Sequence, residues 1–415
     1  MINIGIQILT LFSALLVNFL IPLLFGLEEY GVFIKANILV FLFQKIVDVV
    51  SEPLISTVEK DQLLPLFLGV AGLALFIFFV ANLFFSAGSP ILLSTMYWSN
   101  GLLLVMYAQQ LHKLVLFYLA LFNVIFLVLL ASLHQNWLNI TIPDVLSLTN
   151  MLPSTLCFFW LFVNKKLAVS FTGTLNNLKR IILLIPSLCS LTLVSNFFTN
   201  ILPFYLSFVI TPQLLGLFKV QTSILQSVAA IFPINAKIIS ASFLDTTKKS
   251  YLIESWIRFS MNYFYMISIL GVCVAHWYGR GMGLSKIFIL LPLLHLAFIL
   301  ERFLLGMRMR KELIIINIIV TLTLCSILVF VRTIPQIILF YGVGTSLYVL
   351  FMIGMAPITL HRFKSIVIGI VFLTPVLIYI TIDSDFFSSL ALLLCASIVF
   401  LSIPMNKRTL SLLRG

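Results

Sequence analysis

The sequence predicts an all-α polytopic membrane protein with about 14 transmembrane helices, arranged as two six-helix bundles plus a C-terminal helix pair. Three observations support this class. The 415 residues are 61% hydrophobic and only 9% charged, with a mean hydropathy of +1.18. Apolar segments of about 20 residues, the length that crosses a bilayer as a helix, recur along the whole chain. The basic residues collect in alternate connections between these segments.

Hydropathy and its interruptions place the individual spans. In chain order the predicted spans are 3–26, 31–55, 63–86, 89–111, 114–133, 143–164, 181–207, 214–240, 256–278, 285–306, 311–331, 335–357, 363–382 and 386–404.

Charge distribution fixes the predicted orientation. With a cytoplasmic N-terminus, 17 Lys and Arg residues fall on inner segments, and only Arg280, Lys286 and Arg332 fall on outer ones. This asymmetry obeys the positive-inside rule and predicts that both termini are cytoplasmic. Because the bias continues through the last two spans, it favours fourteen spans over twelve. Topology also explains the net charge of +12, so nucleic acid is not a predicted partner. The five cysteines lie in apolar spans without metal-binding spacing, and no metal or cofactor is expected.

A weak internal repeat divides the predicted spans into two sets of six. Span one ends with a proline, Pro22, and span two opens with Gly31 two residues before a phenylalanine. Span seven ends with Pro203, and span eight opens with Gly216 in the same Gly-x-Phe context, with a lysine soon after it in both cases. Such repeats are typical of transporters built from duplicated bundles.

The repeat and the basic connection after span six give the predicted domains. They are an N-terminal bundle (1–164), a basic amphipathic linker on the cytoplasmic leaflet (165–180), a C-terminal bundle (181–360), an extra helix pair (361–404) and a cytoplasmic tail (405–415).

Several short motifs carry a family resemblance. The turn Leu24–Phe33, the stretch Leu178–Arg180 before span seven, the echo Leu215–Phe218 followed by Pro233, and the basic run Arg308–Lys311 stand in order along the chain. Over about residues 1–357 this pattern resembles the Wzx-type polysaccharide flippases of the multidrug/oligosaccharidyl-lipid/polysaccharide exporter superfamily. The last two spans are similar to the extra pair of the lipid II flippase branch, which helps form a groove for a lipid tail.

The resemblance implies a mechanism and a set of partners. Two bundles in a V would open alternately to each side and carry a polyprenyl-diphosphate-linked oligosaccharide, such as an O-antigen or exopolysaccharide repeat unit for lipopolysaccharide, to the outer leaflet of a bacterial inner membrane. A proton or sodium gradient would drive this antiport, and no enzymatic step is implied. A polysaccharide polymerase and a chain-length regulator are the implied protein partners. Spans one, two, seven and eight would line the cavity.

Span two is the most unusual segment of the chain. The stretch Gly26–Pro53 is apolar, yet it carries Lys35, Lys45, Asp48 and Glu52. A charge at the centre of a membrane helix costs about 2.5–3.5 kcal/mol. On a helix, the last three of these residues fall within about 60° of one another, and the first lies roughly 80° further round. The pattern predicts a polar stripe facing a wet interior.

Lysines suit a diphosphate, and amides suit sugars. The alternatives are snorkelling of Lys35 and Lys219 to the outer headgroups and interhelical hydrogen bonding by the amides. The amides concentrate in spans one, two, seven and eight, and Asn200 stands where the resemblance leads us to expect an acidic residue. The predicted substrate-binding residues are Lys35, Lys45, Lys219, Asn18, Asn37, Asn196, Asn200, Gln221 and Gln226.

The predicted ion-coupling residues are Asp48, Glu52, Glu301 and His295. The last two would form a proton relay in span ten. The alternative for Asp48 is a buried pair with Lys45, which lies one turn earlier in the helix.

Two other functions fit a polytopic membrane protein. A membrane polysaccharide polymerase or glycosyltransferase would need a larger outer loop than the connections of about ten residues that the spans leave. A small-molecule exporter on the same fold remains an alternative, but the cationic interior favours an anionic, lipid-linked substrate.

Overall fold

The computed structural model describes residues 2–57, 61–86, 88–164, 166, 174–230, 267–269, 289–307 and 309–355. Almost all of the residues in these ranges are helical, and none of them lies in a β-strand. The helices are α1 (Ile2–Leu15), α2 (Ile21–Phe25), α3 (Leu27–Thr57), α4 (Leu63–Phe85), α5 (Pro90–Ala108), α6 (His112–His134), α7 (Ile142–Val163), α8 (Thr174–Leu191), α9 (Leu193–Asn196), α10 (Leu202–Val209), α11 (Pro212–Ala230), α12 (Leu291–Gly306), α13 (Arg310–Leu328) and α14 (Ile334–Met355).

These helices coincide with predicted spans one to eight and ten to twelve. Within the described ranges, six helices are long and apolar enough to cross a membrane, which confirms the prediction of an all-α membrane protein. Large apolar side chains also point outward, with Leu83 82% and Phe84 80% exposed, as a lipid-facing surface requires. Span nine is described only at 267–269, and spans thirteen and fourteen lie outside the described residues. The total of fourteen and the two-bundle arrangement stay predictions.

The chain divides into two compact units, residues 1–223 and 224–415. In the first unit α1 packs on α6, α7 packs on both α5 and α6, and α3 packs on α4 and α5. In the second unit α14 packs on both α12 and α13. These units do not test the predicted division into bundles at 1–164 and 181–360 with a linker between them, which stays a prediction. Helix α8 begins at Thr174, within the predicted linker. The helix pair 361–404 and the tail lie outside the described residues.

Side-chain contacts show that α3 and α5 run in the same direction. The Ser89 backbone N–H meets Asn37, and Asn100 meets Asp48; both contacts join residues 52 positions apart. In a parallel pair of helices the sequence separation between contacting residues stays constant along the pair, whereas in an antiparallel pair it changes steadily. The predicted topology, in which spans two and four both run inward from the outer face, requires this direction.

Two prolines produce the same irregularity in two different helices. A π-helical turn, Leu16–Leu20, joins α1 to α2, and a second one, Phe197–Ile201, joins α9 to α10. Each ends at the second residue before its proline, Pro22 or Pro203. Proline has no N–H and its ring clashes with the carbonyl one turn earlier, so the helix widens at that point. The repeat seen in the sequence therefore extends to backbone geometry.

The repeat-related glycines lie where α3 and α11 cross. A Cβ atom on Gly31 would lie 1.7 Å from the carbonyl oxygen of Pro212, and one on Gly216 would lie 2.2 Å from that of Leu27. Leu27 stands one turn before Gly31, as Pro212 stands one turn before Gly216. Matching each residue to its repeat-related partner therefore turns one contact into the other, as happens for contacts across a twofold axis. Only glycine allows backbones to approach this closely.

A second pair of repeat-related elements opens α7 and α14. Both helices begin with Thr-Ile-Pro followed by Asp144 or Gln336. The backbone N–H of Thr141 donates to the Asp144 carboxylate at 2.9 Å, and that of Thr333 donates to the Gln336 side-chain oxygen at 3.1 Å. These are reciprocal halves of capping boxes, which satisfy a backbone donor that the helix itself leaves unpaired. This repeat is not among the features predicted from the sequence.

We expect Gly216→Ala to destabilise the protein by about 1–3 kcal/mol, because its Cβ meets backbone that cannot rotate away. Thermal unfolding in detergent, followed by fluorescence-detected size exclusion, measures the effect. Gly72→Ala is the matched control, since a Cβ on this helical glycine of α4 meets nothing within 4 Å. Equal midpoints for Gly216→Ala and Gly72→Ala would contradict the tight crossing.

Candidate functional site

Two charged residues and one aromatic residue in the C-terminal half of α3 share one face of the helix. Phe41, Lys45 and Asp48 fall within about 60° of one another on an α-helix. All three side chains are partly buried. We call this set, with Asn100 of α5 and Lys219 of α11, the α3 polar face.

Lys219 joins this face from the neighbouring helix. Its ammonium nitrogen lies 6.0 Å from the centroid of the Phe41 ring, within the range of a cation–π contact. Because Phe41 and Lys45 are separated by one helical turn, two cationic groups from different helices lie on the same side of α3.

Lys35, the other predicted outer lysine, differs from Lys219. Its side chain is exposed. Counted from the repeat glycines, Lys35 stands one position later than Lys219, which turns it by about 100° on its helix. The structure therefore places Lys219 on the α3 polar face, but not Lys35. The presence of a lysine in both halves could be read from the sequence, but the difference in register was overlooked.

Asp48 has its hydrogen-bond partner on another helix. The Asn100 side-chain N–H donates to its carboxylate at 3.0 Å. Close by, the Tyr97 hydroxyl donates to the backbone carbonyl of Phe43 at 2.9 Å. From the sequence, Asn100 is only a weak candidate for the cavity lining and Tyr97 is not a candidate, because nothing in one sequence shows which span lies beside span two.

Asn37 interrupts α3 with non-helical backbone angles, φ −124° and ψ 17°. Its side-chain N–H donates to the Phe33 carbonyl at 3.1 Å, and its side-chain oxygen accepts from the Ser89 backbone N–H at 3.2 Å. With 2% exposure, the amide lies inside the packing between α3 and the α4–α5 turn. Its contacts are those of interhelical bonding, the alternative to sugar binding.

The predicted amides of α1–α2 and α8–α10 lie near the π-helical turns. Asn18 accepts a hydrogen bond from the Tyr30 hydroxyl at 3.0 Å. Asn200 is 7% exposed and donates to Thr199 at 3.0 Å. Asn196 donates to the Thr192 hydroxyl at 3.0 Å, and its side-chain oxygen is buried without a hydrogen-bond partner among the described residues.

Three further predicted residues are described less fully. Gln221 is fully buried in α11. Gln226 and Glu52 lie within α11 and α3, but their side chains are outside the described part of the structure.

The second unit contains its own buried polar cluster. Asn317 of α13 is 1% exposed and donates to the Tyr348 hydroxyl of α14 at 3.3 Å. Glu301 of α12 lies near enough to influence the same hydroxyl electrostatically. The cluster thus involves α12, α13 and α14, three of the helices that the structure describes in this unit. Neither Asn317 nor Tyr348 was identified from sequence, because each reads as an isolated polar residue in an apolar span.

His295 lies elsewhere on α12. It is 1% exposed, and its ring centroid lies 5.6 Å from that of Phe298. On the helix, His295 and Glu301 are about 120° apart in rotation and about 9 Å apart in height. Helix geometry therefore does not place them side by side, and the proposed relay between them stays a prediction.

Taken together, the α3 polar face offers two ammonium groups, an aromatic ring, a carboxylate and an amide. This set can hold an anionic group and exchange a proton. Across the described ranges, no three His, Cys, Asp or Glu side chains are grouped to bind a metal ion.

Comparison with known protein families, curated proteins and solved structures finds no match. Function is therefore inferred from the residues themselves and from the motif resemblance.

Asn37→Ala would leave the Ser89 N–H without its acceptor, so we expect it to destabilise the protein by about 1–3 kcal/mol. The midpoint of thermal unfolding is the measurement. Ser94→Ala serves as the control, because this exposed hydroxyl bonds only within its own helix, to Pro90. A change in midpoint no larger than that of Ser94→Ala would show that the amide does not hold α3 to the α4–α5 turn.

Proposed function

We propose that this protein is a flippase that moves a polyprenyl-diphosphate-linked oligosaccharide, an O-antigen or exopolysaccharide repeat unit, from the cytoplasmic to the outer leaflet of a bacterial inner membrane. Transport proceeds by alternating access and is coupled to a proton or sodium gradient. Both termini lie in the cytoplasm. A polysaccharide polymerase and a chain-length regulator are the protein partners of such a flippase.

The α3 polar face is the observation that carries this proposal. Placing lysines and a carboxylate inside a helix bundle in a membrane costs free energy. Such groups commonly mark the path of a polar substrate through a membrane protein. Lys45 and Lys219 provide point charges for a diphosphate, whereas the lipid tail needs only the surrounding bilayer. The amides of Asn18, Asn196 and Asn200 lie on helices that the resemblance assigns to the cavity lining.

The repeat-related elements support alternating access. The π-helical turns, the glycine crossing and the Thr-Ile-Pro caps occur as pairs, one member in each half of the chain. A chain built from two related halves can present one site to opposite sides by rocking one half against the other. Two bundles in a V, with the C-terminal helix pair holding the lipid tail, are the arrangement that we propose.

Reconstituted flipping tests the proposal. Liposomes containing the purified protein and a polyprenyl-diphosphate oligosaccharide with a fluorescent sugar are treated with a membrane-impermeant quencher. We expect quenching beyond the outer-leaflet fraction, at a rate that depends on the imposed ion gradient. Flipping no faster than in protein-free liposomes would exclude the proposed function, and transport of a small cationic dye instead would support an exporter.

The triple variant Lys35→Ala, Lys45→Ala and Lys219→Ala tests the phosphate contact in the same assay. We expect at least about a tenfold loss of rate, since each charge-assisted hydrogen bond contributes about 1.5–3 kcal/mol. Separate single variants at Lys219 and Lys35 should differ, with the larger loss at Lys219. Lys113→Ala removes an exposed cation of α6 and is the matched control. An unchanged rate in the triple variant would eliminate the lysine assignment.

A further inference from the structure

Three contacts join α3 to α5 and the turn before it. From the outer end inward, they are Ser89 N–H to Asn37, the Tyr97 hydroxyl to the Phe43 carbonyl, and the Asn100 amide to Asp48. The first lies at the kink of α3, and the other two lie on its inner half.

The three contacts differ in their chemistry. The first two join neutral groups, one of which is a backbone atom in each case. The third joins an amide to a carboxylate, and charge-assisted hydrogen bonds are roughly twice as strong as neutral ones. Only the Asp48–Asn100 contact therefore changes strength when a proton binds.

The kink supplies a place where α3 can bend. At Asn37 the backbone leaves helical geometry, and the side chain of the same residue replaces part of the helical bonding by donating to Phe33. The outer segment of α3 is held by the glycine crossing at Gly31. The inner segment can consequently move about Asn37 while the outer segment stays in place.

We propose that Asn100 is a positioning residue for ion coupling: it docks the inner half of α3 on α5 while Asp48 is charged, and protonation of Asp48 releases that half about the Asn37 kink. This role rests on the proposed function: Asp48 is the residue that binds the coupling ion, and release of the inner half of α3 is the result of that binding.

The surroundings of Asp48 favour a proton as this ion. Lys45 lies one turn earlier on the same face of α3, and Lys219 of α11 reaches that face over the Phe41 ring. Tyr97 lies on α5, and Tyr205 lies on α10, which also packs against α3. Helix α4 has no ionisable side chain, although Asp61 precedes it, and α8 carries Lys179 and Arg180 near its start. Sodium binding and protonation both add one positive charge beside Lys45, but a sodium ion also needs several oxygen ligands around it, whereas a proton needs only the carboxylate.

Distances between spin labels test the release. In a cysteine-free background of the full chain in nanodiscs, one pair of labels at positions 42 and 107 reports on the inner halves of α3 and α5. A second pair, at the exposed residues Val32 and Ile91, reports on the outer halves. Between pH 8 and pH 5, we expect the population at the longer inner distance to rise about tenfold, as weakening of a charge-assisted bond predicts. The outer distance should not change.

Three variants show which contact is responsible. Asp48→Asn should give the longer inner distance at both pH values, and Asn100→Ala should abolish most of the pH dependence. Tyr97→Phe removes a neutral contact between the same helices and should keep the pH dependence. A pH-independent inner distance in the unsubstituted protein, or an unchanged pH response in Asp48→Asn, overturns the proposal.

This experiment contains no substrate, so the two proposals can fail separately. Flipping with a pH-independent inner distance overturns the role of Asn100 but leaves the flippase. A pH-dependent inner distance without flipping overturns the flippase but leaves the coupling of Asp48 to α3.

Discussion

Close contact between the backbones of α3 and α11 determines where the charged residues of the first unit lie. The carbonyl oxygens of Leu27 and Pro212 occupy the space that a side chain on Gly216 or Gly31 would need. Lys219 follows Gly216 by about one turn, so the crossing carries its ammonium over the Phe41 ring on α3. A larger residue at either glycine would separate the helices and withdraw this charge from Lys45. The α3 polar face thus depends on glycine, which has no side chain, at both Gly31 and Gly216.

An apolar protein must satisfy every polar group internally, since lipid offers no hydrogen bonds. Where its helices are irregular or begin, this chain pairs backbone groups with local solutions. Widened turns accommodate Pro22 and Pro203, the Asn37 amide bonds a carbonyl at the kink, and first-turn side chains cap α7 and α14. In contrast, the Asp48–Asn100 and Asn317–Tyr348 bonds connect separate helices. Bonds of this second kind are sensitive to how the helices are arranged.

Hydropathy alone located the helices well, because a span of about 20 apolar residues has few other stable forms in a membrane. The pairing of Gly31 with Gly216 was also readable from sequence, although the intimate contact between them was not. Partners across helices could not be predicted: Asn100 became part of the site only because α3 and α5 run side by side. The kink at Asn37 was not predicted, because an asparagine in an apolar span does not show by itself that its buried amide will interrupt the helix.

The caps of α7 and α14 have a consequence for the connections that precede these helices. Asp144 and Gln336 each bond the backbone of the threonine that precedes their own helix, so the helix start is set by residues of its first turn. Trp137, in the segment before the cap of α7, is 77% exposed. The connections before α7 and α14 can therefore change in length and composition without shifting these two helices. A protein built this way can vary these connections while the packing of its helices stays the same.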